Sequence, residues 1–195
     1  MMPLAQAQIG KVAAMRNKVP DSYNFWLYAP NEYYEYPDDL FPVIIFLHGQ
    51  SLCGNDMMRS RKYGVLDAIS MGRHVEAMVI NPQNPGGSWN PEKINRILDW
   101  VIENYRVDPC KVYVIGMSLG GYGTMDFVGT YPEKVTAAMA LCGGCSLKDV
   151  QGLGSVPFWI MHGTADAAIN ISQSKKVVEA LKAERNDKLS PVRRT

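Results

Sequence analysis

Short apolar runs alternate along the chain with longer stretches in which apolar residues recur every three or four positions. The short runs are typical of strands buried on both faces of a parallel sheet, and the periodic stretches are typical of helices that cover it. This alternation predicts an α/β fold with a mostly parallel sheet flanked by helices. The predicted strands are residues 25–28, 43–47, 77–80, 112–115, 137–141 and 158–161, and the predicted helices are residues 63–71, 91–105, 119–131 and 172–184.

The pattern predicts one domain, residues 24–184. Residues 1–23 show no strong pattern and are interpreted as an N-terminal extension, and the polar residues 185–195 as a frayed tail. Ala5-Gln6-Ala7 has the form of a signal-peptidase site without the basic and apolar regions before it. The extension is therefore either a signal-peptide remnant of a secreted or periplasmic protein, or the flexible terminus of a cytoplasmic one.

Charge and composition limit the partners of the chain. Lys and Arg number 20 against 19 Asp and Glu, so no net field attracts nucleic acid, and no apolar run approaches the roughly 20 residues of a membrane-spanning helix. We expect a small-molecule substrate that is not selected by bulk charge. Cys142 and Cys145 have the C-x-x-C spacing of a redox pair or half a metal site. Because no second Cys or His pair accompanies them at zinc-like spacing, we interpret Cys142 as a buried strand-end residue and predict no metal site.

A G-x-S-x-G motif, Gly116-Met117-Ser118-Leu119-Gly120, follows the apolar strand 112–115 and opens a predicted helix. A strand–turn–helix context supports a nucleophile elbow, in which a strained turn exposes the serine hydroxyl. The helix N-terminus also directs backbone N–H groups at the charge that develops on an attacked carbonyl. We therefore predict Ser118 as a nucleophile and Leu119 N–H as an oxyanion donor; the alternative is a glycine-rich turn with an incidental serine.

Two other loops are expected to border Ser118. Gln50 lies in the loop after the strand 43–47, from which a second oxyanion N–H comes in such folds. Gly49 and Met117 are predicted to contact the substrate. Trp89, in the loop after the strand 77–80, is predicted either to wall the substrate pocket or to pack on the rim of the sheet.

Asp166 follows the strand 158–161 and takes the place of a triad acid in the chain order Ser, Asp, His. The alternative is an aspartate that only caps its loop. The chain has three histidines, His48, His74 and His162, and all of them precede Asp166. We interpret His48 as a brace of its loop and His162 as a residue that fixes the acid loop; a base role for any of the three is the less favoured alternative.

The motifs together resemble those of the phospholipase/carboxylesterase-like α/β-hydrolases, near the dienelactone hydrolases and feruloyl-type esterases. The residues that carry the resemblance are Leu47-His48-Gly49, Gly116-Met117-Ser118-Leu119-Gly120-Gly121 and His162-Gly163-Thr164-Ala165-Asp166. The resemblance covers most of the chain and implies a cofactor-free hydrolase of carboxylic esters, with Ser118 as nucleophile, Leu119 and Gln50 as oxyanion donors and Asp166 as acid.

Members of that family carry the catalytic histidine a few dozen residues after the acid. No histidine follows Asp166 here, so we expect an incomplete triad, from a shortened gene model, a frameshifted tail or a natural pseudoenzyme. A sheet of this type normally continues with another strand and helix, so we also expect the sheet to lack its last strand and helix. A sheet shortened in this way leaves apolar faces uncovered, which favours a homo-oligomer. Two rival functions are a non-catalytic module that binds esters or carbohydrates, and a serine peptidase of the same fold.

Overall fold

The structure, a computed structural model, describes residues 10–189, with side chains as far as residue 183. Its seven strands are β1 (Lys11–Met15), β2 (Phe25–Ala29), β3 (Phe41–Leu47), β4 (Met78–Pro82), β5 (Val107–Met117), β6 (Ala137–Leu141) and β7 (Phe158–Met161). Its α-helices are α1 (Glu32–Glu35), α2 (Val65–Ser70), α3 (Pro91–Asn104), α4 (Leu119–Thr130), α5 (Gln151–Gly154) and α6 (Ser172–Leu189). Three 3-10 helices, Gln50–Leu52, Met57–Arg61 and Pro132–Lys134, lie between them.

The strands form one sheet in the order β1-β2-β4-β3-β5-β6-β7. The strands β4, β3, β5, β6 and β7 run parallel to one another, and β2 and β1 continue the sheet in antiparallel fashion. The predicted α/β fold with a mostly parallel sheet is confirmed. Because parallel strands end at the same edge, the loops after β3, β4, β5, β6 and β7 all emerge there.

Successive side chains along a strand point to opposite faces of the sheet, and each face packs in its own hydrophobic core. Phe25 and Leu27 of β2 face the larger core, which α3 and α4 cover, whereas Trp26 and Tyr28 face a smaller one beneath α2. The helix α3 begins as its sequence predicts, with Pro91 in the first turn. It buries the predicted apolar stripe of Ile94, Ile97, Leu98 and Val101.

The structure departs from the sequence prediction at both ends of the domain. No strand was predicted before residue 24, but β1 pairs with β2 at the edge of the sheet. Its residues are mostly exposed on both faces, so no apolar alternation marks it. The predicted tail 185–195 is helical as far as Leu189, where α6 ends. The rest of that tail and Ala5-Gln6-Ala7 lie outside the described residues.

One face of the sheet is open at its C-terminal end. A groove of about 480 Å³ lies along β5, β6 and β7, and Trp159, which lines it, is 63% exposed. No helix within residues 10–189 covers this groove. In the same part of the chain, no helix is both long enough and apolar enough to cross a membrane.

Candidate active site

Ser118 lies at the junction between the end of β5 and the start of α4. Its backbone has φ 56° and ψ −118°, which lies in the positive-φ region that residues with a Cβ rarely adopt. Its N–H donates to the carbonyl oxygen of Leu141 at 2.8 Å, so the turn is tied to the end of β6. Ser118 therefore lies in the strand–turn–helix geometry that the motif predicted.

Two glycines allow the main chain to pack closely around this turn. A Cβ on Gly116 would lie 2.0 Å from the carbonyl oxygen of Gly120, and a Cβ on Gly120 would lie 1.9 Å from the carbonyl oxygen of Leu47. Both contacts are with main-chain atoms, which cannot rotate away as a side chain can. The end of β3 is thus held directly against the first turn of α4.

The loop after β3 contacts the nucleophile turn through Gly49. The position that a Cβ on Gly49 would take is 3.4 Å from the Cβ of Ser118 and 3.3 Å from the carbonyl oxygen of Met117. Gly49 is buried and Met117 is half-buried. Both residues predicted to contact the substrate therefore lie beside Ser118.

Two backbone N–H groups in these loops, those of Gln50 and Leu119, have no acceptor among the described residues. Gln50 opens a 3-10 helix and Leu119 opens α4, and the first N–H groups of a helix have no partner within it. The N–H of Gly49, in contrast, donates to the hydroxyl of Tyr63 at 2.7 Å. This arrangement leaves Gln50 and Leu119 available as oxyanion donors, the roles predicted for them.

His48 is fully buried and connects two of the loops. Its Nδ1 lies 2.8 Å from the carbonyl oxygen of Gly49, and its Nε2 accepts the N–H of Asn84 at 3.1 Å. A carbonyl can only accept and an N–H can only donate, so the ring is neutral with its proton on Nδ1. Burial also lowers the pKa of His48. Both ring nitrogens are engaged, so His48 braces its loop and has no free position for a proton from Ser118.

Trp89 lies inside the protein and not at an open wall. Its indole N–H donates to the carbonyl oxygen of His48 at 3.1 Å. Its ring packs against Gly123 in α4, where an added Cβ would lie 2.6 Å from Cγ of Trp89. The side chain is 3% exposed, so it offers almost no surface to a ligand. Of the two roles that the sequence left open for Trp89, the structure supports packing and not a wall of the substrate pocket.

Asp166 lies in the loop after β7, at the same edge of the sheet as Ser118. Its Oδ1 accepts the N–H of Ile169 at 3.0 Å and that of Ala168 at 2.9 Å. These bonds, with a smaller contribution from nearby His162, hold the pKa of Asp166 below its ordinary value, so the carboxylate is ionised at neutral pH. One oxygen thus caps the loop, and the other is not taken up by it.

His162 joins the Asp166 loop to α6. Its Nδ1 lies 2.7 Å from the hydroxyl of Ser174, and its Nε2 lies 2.8 Å from the carbonyl oxygen of Ile169 and 3.6 Å from Oδ2 of Asp166. Because a carbonyl only accepts, Nε2 carries a proton. With both ring nitrogens engaged and the side chain 3% exposed, His162 is placed to fix the acid loop and not to act as a base.

His74 lies before β4, at the edge of the sheet opposite to Ser118. Its Nε2 is 3.1 Å from Oε1 of Glu32 and 3.6 Å from Oε1 of Glu76. Within the described part of the chain, these three side chains form the one group whose ligand atoms are close enough to share a cation. The group lies away from the nucleophile, and it supplies Ser118 with neither a base nor a metal.

Sequence reasoning missed two residues that shape the loop after β3. Tyr63 accepts the N–H of Gly49, and Gln83 donates to the carbonyl oxygens of Leu52 at 2.8 Å and Gly54 at 2.9 Å. Gln83 also accepts the N–H of Ser60 at 3.1 Å. Neither belongs to a motif, and each meets its partners only through the fold, so the sequence carries no signal for them.

Comparison with known proteins identifies the relatives of the chain. A family profile described as "Putative esterase" matches residues 17–190. Acylamino-acid-releasing enzyme 2 of Oryza sativa subsp. japonica is 28% identical over 132 residues, which cover 60% of this chain and 17% of that protein. Acetylxylan esterase A of Aspergillus ficuum is 26% identical over 149 residues, 67% of this chain and 46% of that protein. The chain thus spans less than half the length of both relatives.

Solved structures share the fold. A thermostable esterase superposes with a TM-score of 0.74 at 22% identity, covering 91% of this chain and 52% of the other. A feruloyl esterase module from Clostridium thermocellum, complexed with sinapinate, superposes with a TM-score of 0.68 at 16% identity, covering 93% and 75%. The predicted resemblance to esterases of the α/β-hydrolase fold is confirmed.

Proposed function

This chain belongs to the esterase family, and from that membership and the geometry of its elbow we propose that it hydrolyses carboxylic esters through an acyl-enzyme on Ser118. The observation that carries the proposal is the positive-φ Ser118 at the strand–helix junction, beside the N–H groups of Leu119 and Gln50, which have no acceptor within residues 10–189. A strained serine beside free backbone donors is the arrangement that acyl transfer requires.

The proposed reaction has two steps. In the first, Ser118 Oγ bonds to the ester carbonyl carbon and gives its proton to a base, the carbonyl oxygen becomes an oxyanion held by Leu119 and Gln50, and the protonated alcohol leaves. In the second, water attacks the acyl-enzyme and releases the carboxylic acid and free Ser118. Gly49 and Met117 border the acyl group in this scheme. Asp166, ionised at neutral pH, orients the base with Oδ2, the oxygen that accepts none of the loop N–H groups.

We propose that the base is a histidine other than the three of this chain. His48 and His162 have both ring nitrogens engaged, and His74 lies at the opposite edge of the sheet. An enzyme of this type that lacks one triad member retains only about 10³ to 10⁴ over the uncatalysed rate, from binding and the oxyanion hole. The chain on its own is therefore expected to be a slow esterase, and supplying a histidine segment after Asp166 is expected to raise its rate by orders of magnitude.

The names of the relatives indicate which esters to test. Acetylxylan and feruloyl esterases are among them, so we propose small acyl groups carried on carbohydrate as the substrate class. A second candidate function is the binding of such esters without turnover. The engaged ring nitrogens of His48 and His162 favour it, because no described histidine can take the proton of Ser118.

The test compares hydrolysis of p-nitrophenyl acetate and methyl ferulate by the unmodified chain and by Ser118→Ala. Ser88→Ala, an exposed serine of the loop before α3, serves as the matched control. A fluorophosphonate probe followed by peptide mass spectrometry locates the reactive serine. We expect labelling at Ser118, and hydrolysis that is lost in Ser118→Ala and kept in Ser88→Ala. Equal rates in all three proteins and no label on Ser118, both before and after a histidine segment is supplied after Asp166, would refute the esterase proposal and leave ester binding as the surviving function.

A further inference from the structure

Tyr63 lies close to the nucleophile although no motif includes it. It follows the 3-10 helix Met57–Arg61, and its ring packs edge-on against Phe46 with centroids 6.2 Å apart. Gly64, with φ 91°, lets the chain pass the Phe46 ring, where any Cβ would lie 2.2 Å from it. The aromatic ring of Tyr63 is thus fixed by the end of β3, and its hydroxyl is directed at the loop that follows.

The hydroxyl of Tyr63 has an unused proton. Its oxygen accepts the N–H of Gly49 at 2.7 Å, and a backbone N–H can only donate. No acceptor within residues 10–183 takes the O–H of Tyr63 in return. Donation by Gly49 also polarises the phenol, because hydrogen bonds in a chain strengthen one another. The side chain is half-buried, so the space around it is not completely filled by protein.

That space adjoins Ser118. A Cβ on Gly49 would lie 2.9 Å from the Tyr63 hydroxyl oxygen and 3.4 Å from the Cβ of Ser118. The phenol and the nucleophile therefore both lie close to Gly49. A tetrahedral carbon bonded to Ser118 Oγ would have its oxygen within the region bounded by this glycine, its neighbour Gln50 and the start of α4.

We propose that the Tyr63 hydroxyl is a third donor to the oxyanion, in addition to the N–H groups of Gln50 and Leu119. This inference rests on the proposed function, since it assigns a role in the same acyl transfer. An O–H donor to an oxyanion makes a short, charge-assisted bond that is stronger than a bond between neutral groups. It strengthens as the carbonyl oxygen gains charge, so it lowers the barrier more than it improves substrate binding.

The test replaces the hydroxyl while keeping the ring. Tyr63→Phe retains the packing on Phe46 and removes the O–H. Tyr23→Phe is the matched control, because Tyr23 also accepts a backbone N–H, from Asn90 at 2.9 Å, and packs edge-on against a neighbouring aromatic ring, that of Trp89. Removing one oxyanion donor costs about 10² to 10³ in kcat. We expect a fall of about 10² in kcat for Tyr63→Phe with KM within about twofold, and no such fall for Tyr23→Phe.

A second measurement does not depend on turnover. Phenylboronic acid forms a reversible tetrahedral adduct in which boron bonds to Ser118 Oγ and the serine proton passes to water. Its dissociation constant, measured by calorimetry, is expected to rise at least tenfold in Tyr63→Phe and to stay unchanged in Tyr23→Phe. Placing 3-fluorotyrosine at position 63 alone keeps both hydrogen bonds and is expected to retain at least the original affinity.

The outcomes separate the two proposals. An adduct that needs Ser118 but binds equally well to Tyr63→Phe would overturn the role of Tyr63 and leave the esterase proposal standing. Absence of any Ser118-dependent adduct would overturn both. If Tyr63→Phe unfolds at much lower urea than Tyr23→Phe and raises KM as much as it lowers kcat, the hydroxyl only supports the loop and the proposal is wrong.

Discussion

Gly120→Ala is expected to destabilise the protein severely, because the added methyl group meets main chain. Its Cβ would lie 1.9 Å from the carbonyl oxygen of Leu47 and 2.8 Å from that of His48. Ordinary contact begins near 3.4 Å, so α4 and the end of β3 must separate by roughly 1.5 Å in a close-packed interior. The residue pair Leu47–Gly116, which joins β3 to β5, lies directly beside this contact.

The magnitude follows from two contributions. Overpacking a close-packed site costs about 1 to 3 kcal/mol. Each main-chain hydrogen bond lost at the β3–β5 junction adds about 1 kcal/mol. If one or two such bonds are lost, we expect the free energy of unfolding to fall by about 2 to 5 kcal/mol in total. With a urea slope of about 2 kcal/mol per molar, the midpoint shifts down by roughly 1 to 2.5 M.

Urea unfolding followed by tryptophan fluorescence and circular dichroism measures this shift. Gly163→Ala is the matched control, because a Cβ there has no heavy atom within 4 Å and φ needs no left-handed conformation. It is expected to change the midpoint by less than about 0.3 M. A Gly120→Ala variant as stable as Gly163→Ala would contradict the close approach of β3 to α4, and with it the geometry proposed for the oxyanion loop.

Two further predictions concern the buried loops. Burial lowers the pKa of His48, whereas the unfolded chain binds a proton near pH 6.5, so stability is expected to fall as the pH drops from 7.5 to 5.5. His48→Asn should lose less stability than the original chain between these two pH values in urea unfolding; equal losses would contradict the buried neutral ring. Trp89→Phe removes the indole donor to the His48 carbonyl and is expected to cost about 1 to 3 kcal/mol in unfolding free energy. The KM of Trp89→Phe for p-nitrophenyl acetate should not change. A severalfold change would instead indicate that Trp89 contacts the substrate.

The sequence predicted the central sheet well because its signals there are local. The strands β6 and β7 match their predicted bounds, and α4 begins at Leu119 as expected, since the elbow motif itself marks the strand–helix junction. The exposed strand β1 has no apolar alternation, so it was missed. The predicted helix 63–71 is shorter in the structure, because Tyr63 and Gly64 form the turn that leads into α2.

Side-chain partners were less predictable, because they come from distant parts of the chain. Sequence order gave Gln50 as a candidate donor, but only the fold shows that the N–H of Gly49 is taken up by Tyr63. The ring state of His48 follows from an N–H 36 residues away, that of Asn84. Trp89 was assigned two equal alternatives, and its burial between two distant segments decided for packing.

The segment between β3 and α2 contains only two short 3-10 helices, and hydrogen bonds from side chains hold its main chain. His48 connects the start of this segment to the loop after β4. Gln83 donates to the carbonyl oxygens of Leu52 and Gly54 and accepts the N–H of Ser60. Liquid water must turn its dipoles toward each new charge, at a cost in free energy. Here the dipoles near Ser118 have their directions set when the chain folds, so a developing charge meets an environment already oriented for it. The hydrogen bonds that hold this segment therefore do what solvent reorientation does in water, and their cost is met when the chain folds.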